Sequence, residues 1–209
     1  MEFAQVVRRR RMVRNFEDRS VAPDLVDRVV RNGLRAPSAG FSQGWAFLVL
    51  DQREDVERFW DATFDTDRRA AFRWQGLFSA PVLIVPLSHK QAYLDRYAEP
   101  DKGWTDRDET RWPVPYWDID TGFAAVLMLL TAVDAGLGAL FFGIFPPRVR
   151  AFRAAFDVPD AYTPIGAIAL GWPAPDEPSP SLARGHRPFD GVVHRGRFNS
   201  RQPSEEGPR

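Results

Sequence analysis

Apolar residues near the start of the chain recur at the spacing of an amphipathic helix. Phe3, Val6 and Val7 share one face of this predicted helix, and Arg10 and Arg14 continue the same face. A charge on an inward face has to be paired. The two arginines therefore either hold an anion or are solvated at a frayed helix end, and the pattern leaves both interpretations open.

Further apolar patterns predict helices and strands along the rest of the chain. A second helix is expected from about Pro23 until Ala36-Pro37 stops it. The uninterrupted apolar run at 81–87 is typical of a strand buried on both faces. The helix at 116–135 is apolar nearly all round, which predicts burial at the centre of the protein or at a subunit interface. The remaining predicted strands cover 45–50, 138–142 and 164–170, and the remaining helices cover 53–64, 67–78 and 146–156.

Two segments have no sustained period. The segment 88–115 is long and rich in aromatic residues, which favours a functional lid over a disordered loop. After Trp172 the composition shifts to proline and serine, so an extended arm is predicted there, with 187–198 docked on the rest of the protein. We interpret 1–198 as a single domain and 199–209 as a disordered tail.

Composition and charge exclude several classes of protein. The 209 residues suit one domain, and the absence of cysteine excludes disulfides, thiolate metal sites and a cysteine nucleophile. Basic and acidic residues balance at 28 each, so nucleic acid is not the expected partner. No signal peptide is expected at the start, and Asp134, Gly136 and Gly138 interrupt the apolar segment 123–145. We therefore expect a cytoplasmic protein without a membrane span.

Familiar catalytic motifs are missing or lie in the wrong context. The motif Gly136-Leu137-Gly138 lies between a predicted helix and a predicted strand, whereas a dinucleotide fingerprint needs a strand, the glycines and then a helix. His89, His186 and His194 have no metal-ligand spacing and lie in predicted loops. There is no nucleophile elbow and no Walker loop. If the protein is an enzyme, a bound cofactor is therefore expected to carry the chemistry.

Three separated pieces of sequence resemble a known family. Residues 10–16 are RRMVRNF, residues 36–47 are APSAGFSQGWAF, and residues 195–197 are RGR. In order and spacing they resemble the nitroreductase family of flavin enzymes, and the resemblance spans about 3–198. It implies an α+β fold with a central, mostly antiparallel sheet flanked by helices. It also implies a homodimer with an interface helix, a C-terminal arm, and FMN bound between the subunits.

The resemblance assigns a role to each of the matching pieces. Arginines 10, 14, 195 and 197 would grip the flavin phosphate, which suits the bidentate geometry of guanidinium groups. The small residues of the loop 37–43 would let the backbone approach the flavin ring and ribityl chain. The backbone N–H at 142–143, the implied catalytic position, would face flavin N5. The implied cofactor-binding residues are Arg10, Arg11, Met12, Arg14, Pro37, Ser38, Ala39, Gly40, Phe41, Gln43, Phe142, Gly143, Arg195 and Arg197.

The activity that the resemblance implies is an FMN-dependent oxidoreductase. Hydride from NAD(P)H would pass through flavin N5 to an electron-poor small molecule such as a nitroaromatic, a quinone or an activated alkene. Trp104, Trp112 and Tyr116 are candidates for the wall of the acceptor pocket, although a packed loop or a dimer contact explains them equally well. The alternatives are dependence on the deazaflavin F420, flavin handling without NAD(P)H turnover, and a structural module that has lost its cofactor.

This sequence departs from the usual family pattern in the 36–47 loop. Phe41 replaces an asparagine and Gly44 replaces a proline, so the loop resembles that of the dimethylbenzimidazole synthase branch, which consumes its own flavin. That branch depends on an aspartate and a serine at the positions where this chain has Met12 and Gly143. Because both polar groups are missing, we argue against the flavin-destroying reaction.

Overall fold

The structure is a computed structural model that describes residues 1–198 of the chain. Its helices are α1 (Phe3–Arg9), α2 (Pro23–Gly33), α3 (Arg53–Thr63), α4 (Thr66–Ala70), α5 (Lys90–Ala98), α6 (Tyr116–Asp134) and α7 (Val149–Ala155). Its strands are β1 (Trp45–Leu50), β2 (Val82–Ser88), β3 (Gly138–Phe142), β4 (Thr163–Pro164) and β5 (Ala167–Gly171).

The strands form one antiparallel sheet in the order β1-β2-β5-β3, with β4 paired to the end of β2. Leu48 of β1 pairs with Val85 of β2, and Leu140 of β3 pairs with Ala169 of β5. Every residue of β2 is buried, as its unbroken apolar run predicts. The predicted α+β fold with a mostly antiparallel central sheet is therefore confirmed.

Helices cover both faces of the sheet, and each face has its own hydrophobic core. Leu83 and Val85 of β2 contribute to a core that includes Phe59 of α3 and Phe152 of α7. The intervening residue Ile84 belongs to the opposite core, which includes buried residues of α2 and α6. This alternation is the period-two geometry of a strand between two layers.

The helix α6 is the longest element in the described part of the chain, and it packs against α2, β2 and β3. Ala124, Met128 and Ala132 are buried, whereas Phe123 and Val126 on the other side are exposed. Within residues 1–198 it is the one helix whose length and apolar composition would allow it to cross a membrane. The burial of one side against the sheet explains the same composition without a membrane.

The first helix is shorter than its pattern predicts. It ends at Arg9, and the N–H of Arg10 closes the last turn on the carbonyl of Val6. The chain then becomes extended, and the N–H of Val13 donates to the carbonyl of Ala139 in β3. The prediction that Arg10 and Arg14 continue a helical stripe is therefore wrong, because pairing with the sheet edge outweighs the helical spacing.

Three other predicted elements also differ. The segment 88–115 contains α5 and a 3-10 turn at Glu109–Arg111, so it has more regular structure than its sequence indicates. The predicted helix 67–78 is divided into α4 and a 3-10 turn at Gln75–Ser79. The predicted strand 164–170 is interrupted between β4 and β5, where Gly166 has φ of +156°. In the segment 67–78, the ring of Phe72 contacts the rings of both Trp74 and Phe78. This packing overrides the local helical periodicity.

The chain divides into two compact units, Met1–Asp176 and a second that begins at Glu177. Within the second unit, a 3-10 turn at Pro180–Arg184 interrupts the predicted extended arm, and a second 3-10 turn at Phe189–Gly191 lies in the segment 187–198. The docking of 187–198 stays a prediction. The predicted tail at 199–209 lies outside the described residues.

Candidate active site

A cavity of about 660 Å³ lies where β3 ends, next to α4 and the turn that follows it. Phe142 and Gly143, the residues assigned from the sequence to the flavin N5 position, both line it. The volume falls within the range of cofactor and small-molecule sites. The other lining residues are Thr63, Phe64, Arg68, Ala71, Phe72, Arg73, Ile144, Phe145 and Pro146.

Aromatic packing beneath the cavity holds the end of β3 in place. The ring of Phe142 stacks on fully buried Trp60 of α3, with centroids 5.6 Å apart and an interplanar angle of 17°. On the other wall, Phe64 meets Phe72 edge to face at 5.6 Å. Interlocked aromatic rings have few alternative rotamers. The cavity therefore has stiff, apolar walls.

Gly143 contributes a backbone donor to this space. It follows the last residue of β3, it is exposed, and its N–H donates no hydrogen bond within residues 1–198. A methyl group built on its Cα would meet no atom within 4 Å. A ligand could therefore approach the backbone here without a side chain in the way.

The charged groups that line the cavity are arginines. The guanidinium carbon of Arg68 lies 4.2 Å from the centre of the Phe145 ring. Those of Arg73 and Arg14 lie 5.4 Å and 5.1 Å from the same Trp74 ring. No acidic side chain is among the residues that line the cavity. The site consequently favours an anionic or electron-rich ligand.

The arginines near the N-terminus carry charge that is not neutralised by a carboxylate. Within residues 1–198, Arg10, Arg11 and Arg14 form no ion pair, and the guanidinium of Arg14 donates to the carbonyl of Met12 at 3.1 Å. The backbone N–H of Arg14 donates to Asp176 at 2.7 Å, which fixes the course of the chain there. Arg10 and Arg14 are half-buried and Arg11 is exposed. These positions suit the binding of a phosphate group.

The side chain of Asp65 anchors α4 beside the cavity. It accepts hydrogen bonds from the backbone N–H of Arg68 at 3.1 Å and from the guanidinium of Arg148 at 2.7 Å. The hydrogen bond from Arg148 is the main reason that the pKa of Asp65 is lowered, and the bond from Arg68 adds to it. The capped helix therefore holds Arg68 at the cavity wall.

The loop 37–43 lies apart from this cavity in the same chain. It forms a 3-10 turn at Ala39–Phe41, and it contacts α5 and α6 rather than the cavity lining. Gly40, Phe41 and Gln43 all have positive φ, and the side chain of Phe41 is 74% exposed. One chain thus brings Phe142 and Gly143 to the cavity, and Arg14 contacts Trp74, the neighbour of the lining residue Arg73. The loop residues predicted for the same site form a separate group.

The aromatic residues predicted to line the acceptor pocket form a cluster of their own. Trp112 lies 5.5 Å from Trp104 and 5.7 Å from Tyr116 between ring centroids, and 4.5 Å from Tyr97 of α5. Trp104, Trp112 and Tyr116 are all half-buried, and none of them lines the cavity at the end of β3. Their role at the acceptor stays a prediction.

The remaining predicted phosphate ligands belong to the second unit. Arg195 and Arg197 flank Gly196, which has φ of +75°, and the N–H of Arg197 donates to the carbonyl of Arg195 at 2.9 Å. This is the pattern of a three-residue turn. Their approach to Arg14 stays a prediction.

Sequence reasoning missed the wall of the cavity formed by α4 and the turn after it. Arg68, Phe72 and Arg73 all lie in the segment that was predicted as one continuous helix. Their sequence resembles an ordinary amphipathic helix, and no motif marks them. The helix ends at Ala70, and residues on both sides of this break line the cavity together with the end of β3.

Comparison with known proteins identifies the class of this fold and site. The model of the nitroreductase family matches residues 7–172, so the chain belongs to the nitroreductase family. A Methanothermobacter thermautotrophicus protein whose name refers to NADH dehydrogenase and NAD(P)H nitroreductase is 28% identical over 176 residues, which cover 83% of this chain and 78% of that protein. An NADPH-dependent oxidoreductase of Staphylococcus aureus is 25% identical over 200 residues, covering 93% and 73%.

The fold also matches a solved structure. An FMN-dependent nitroreductase from Clostridium difficile R20291 superimposes with a TM-score of 0.65 at 20% identity, covering 92% of this chain and 98% of the other. That likeness concerns the fold. Together with the family match and the relatives, it identifies this protein as an oxidoreductase with a nitroreductase fold.

Proposed function

We propose that this protein is an FMN-dependent NAD(P)H oxidoreductase that reduces an electron-poor small molecule. When bound, FMN would accept hydride from NAD(P)H at N5 and pass it to an acceptor such as a nitroaromatic, a quinone or an activated alkene. The observation that carries the proposal is the cavity at the end of β3. Gly143 lines it with an N–H that has no partner among residues 1–198, aromatic rings form its walls, and arginines flank it.

The residues at this cavity fit a flavin in size and in chemistry. A volume of about 660 Å³ can take a planar tricyclic ring. Aromatic walls suit the faces of such a ring, and backbone or guanidinium donors suit its polar edge, where negative charge develops on reduction. A thiolate or carboxylate metal centre has no comparable support, because residues 1–198 contain no cluster of three potential metal ligands.

Separate residues would bind the two ends of the cofactor. The N–H of Gly143 would donate to the ring edge, and Arg68 and Arg73 would favour the electron-rich form of the ring. Arg14, with Arg10, would bind the phosphate, and we expect Arg195 and Arg197 to complete this grip. The names of the two similar enzymes, one NADPH-dependent and one FMN-dependent, support this assignment of cofactor and donor.

The function further requires two copies of the chain. The loop 37–43 does not line the cavity of its own chain, so we propose that it reaches the cavity of a second subunit. Exposed apolar residues on two contacting helices, Phe3 and Val7 of α1 and Phe123 and Val126 of α6, provide a surface for this homodimer. The site would then be complete only at the interface, and a small-molecule acceptor would enter from solvent.

A test of this function begins with the cofactor that co-purifies with the protein. Heat release followed by mass measurement should identify FMN, whereas F420 or no cofactor would contradict the proposal. Anaerobic stopped-flow mixing with NADH and with NADPH should then bleach the flavin absorbance. A flavin that stays oxidised with both donors would instead support flavin handling without turnover.

A further inference from the structure

The carboxylate of Asp120 in α6 lies directly behind the loop 37–43. Only 3% of Asp120 is exposed, and its Oδ2 accepts two hydrogen bonds. One comes from the backbone N–H of Ala39 at 2.8 Å, and the other comes from the hydroxyl of Tyr93 in α5 at 2.8 Å. A single buried oxygen therefore links the loop to both helices.

The loop backbone needs such support because its conformation is unfavourable for its residues. Phe41 has φ of +55° and Gln43 has φ of +48°, and neither is a glycine. Side chains with a Cβ populate this left-handed region only when surrounding contacts enforce it. In an otherwise free loop these two residues would relax to negative φ.

Further contacts hold the loop at its middle and just after its last residue. The guanidinium of Arg96 donates to the carbonyl of Gly40 at 2.9 Å and is itself fixed by two bonds to Asp101, at 2.7 Å and 2.8 Å. The N–H of His89 donates to the carbonyl of Gly44 at 2.9 Å. A Cβ at Gly40 would lie 2.7 Å from the ring of Tyr97, so α5 fits closely against the loop.

The carboxylate of Asp120 is poorly explained by stability alone. Within residues 1–198 it forms no ion pair, and a buried polar side chain is costly compared with an apolar side chain of similar size unless its hydrogen bonds offset the cost. Its two hydrogen bonds instead serve groups in the loop and in α5. Burial and the hydrogen bond to Asp120 raise the pKa of Tyr93. Its hydroxyl, which is protonated at physiological pH even at the ordinary pKa, is the donor in this bond.

We infer that Asp120 is a positioning residue that, together with Tyr93 and Arg96, holds the strained loop 37–43 in its cofactor-binding shape. It does so through the backbone of Ala39 and without touching the cofactor itself. This inference rests on the proposed function, because the loop is the segment expected to contact FMN. It also assigns α5 and the aromatic cluster behind it a role as the support of that loop.

The test compares substitutions at Asp120 in the full-length protein after removal of cofactor and titration with FMN. Asp120→Ala removes the acceptor of both bonds, so we expect the dissociation constant for FMN to rise at least tenfold and the visible circular dichroism of the bound flavin to change. Asp120→Asn keeps an acceptor oxygen in a side chain of the same size. We expect the dissociation constant of this variant for FMN to stay within about threefold of wild type.

Two more variants, a control at Thr121 and a second test variant at Tyr93, distinguish a positioning role of Asp120 from a general loss of stability. Thr121→Val alters the adjacent buried residue, whose hydroxyl donates only within the helix to the carbonyl of Trp117, and should leave FMN binding within twofold. Tyr93→Phe removes one donor and keeps the bond to Ala39. It should weaken binding less than Asp120→Ala does, and it carries the test if Asp120→Ala does not fold.

The outcomes distinguish this inference from the proposed function. If wild-type protein binds no FMN, the proposed function fails and the inference fails with it. If wild-type protein binds FMN but Asp120→Ala and Tyr93→Phe bind it with unchanged constants and spectra, the positioning role alone is overturned. Equal weakening by Thr121→Val and Asp120→Ala would likewise overturn it, because it would indicate a general effect of altering α6.

Discussion

Gly143 is the residue at which the backbone of β3 reaches the cavity. Its φ lies outside the left-handed region, and there is open space beside its Cα. Neither strain nor crowding therefore requires a glycine here. What distinguishes the position is its backbone N–H, which has no partner within residues 1–198. A side-chain substitution would leave that donor in place, and only proline would remove it.

We therefore predict different effects for two substitutions at Gly143. Gly143→Ala should keep the rate of flavin reduction by NADPH within about threefold of wild type, because the N–H is kept and the methyl group meets no atom. Gly143→Pro should slow that rate by about 100-fold, the usual cost of losing one donor to developing negative charge. The preceding residue, Phe142, already has the extended backbone of a strand, and this is the conformation that a following proline favours. Stopped-flow absorbance at the flavin band measures this rate of flavin reduction. Equal rates for both variants would exclude a role for this donor.

At the scale of elements, the packing of α3 on the end of β3 gives the cavity its shape. Trp60 is fully buried between the stacked ring of Phe142 and the edge of Phe78, with centroids 5.6 Å and 4.9 Å away. Its indole N–H is buried and has no hydrogen-bond partner in the described part of the chain. Trp60 therefore stabilises the fold through packing and buried apolar area rather than through a hydrogen bond.

This packing predicts losses of stability of different size for two truncations of Trp60. Trp60→Ala should lower the free energy of unfolding by about 3–5 kcal/mol, because it leaves a large cavity. Trp60→Phe should cost only about 1–2 kcal/mol, because the lost area is offset by removal of an unsatisfied donor. Urea unfolding measures both. A cost for Trp60→Phe as large as that for Trp60→Ala would mean that the indole N–H has an important partner.

A second element-level contact links α4 to α7 through Asp65 and Arg148. The lowered pKa of Asp65 means that its charged form is favoured in the folded protein, so it stabilises the fold at pH values above the ordinary carboxyl range. That contribution should be lost as the pH falls through the lowered pKa. Asp65→Asn keeps a helix cap but removes the charge.

The expected result is a stability difference that depends on pH. Wild type should be more stable than Asp65→Asn near neutral pH, and the difference should shrink towards zero at pH values below the lowered pKa. Unfolding by urea over a pH series measures this. In an Arg148→Met background the substitution Asp65→Asn should have little effect at any pH, and a persistent difference would show that Arg148 is not the cause.

For the whole molecule, the central question is which chain supplies each part of the site. Arg14 contacts Trp74, the neighbour of the cavity residue Arg73, whereas the loop 37–43 is held by α5 and α6 outside that cavity. Under the proposed function, a site that uses both would combine two copies of the chain. Defects in the two regions should then complement each other in a mixed dimer.

We predict this complementation for Arg14→Ala and Gly40→Leu. Each homodimer should be nearly inactive, the first through weak phosphate binding and the second because a side chain at Gly40, where φ is +60°, would strain the loop and strike Tyr97. A purified mixed dimer has one site with both defects and one with neither, so it should have about half of the wild-type activity. Activity no higher than that of the homodimers would place both residues in the same site of one chain.

Sequence patterns located most of the scaffold, and two residues predicted for the site, Phe142 and Gly143, line the cavity at the end of β3. The strand β2 and the helix α2 appear where apolar runs and Pro23 predict them. The family match at 7–172 includes the first two of the three quoted pieces, at 10–16 and 36–47. The pattern failed for Arg10 and Arg14, which lie beyond α1, and for the cavity wall around Arg68. In both cases the local spacing is compatible with a helix, and contacts far along the chain decide otherwise.

The amino-acid sequence alone determined which residues prefer to be buried, where backbone flexibility is available and which family the chain resembles. These properties depend on neighbours within a few positions, such as the apolar run of β2. Only the tertiary structure decided that Val13 pairs with β3, that Arg14 and Arg73 share the ring of Trp74, and that Asp120 supports the loop at Ala39. The contacts of Val13 with β3, of Arg14 with Trp74 and of Asp120 with Ala39 join residues that are distant in the chain, and their energy exists only once the sheet and helices have packed.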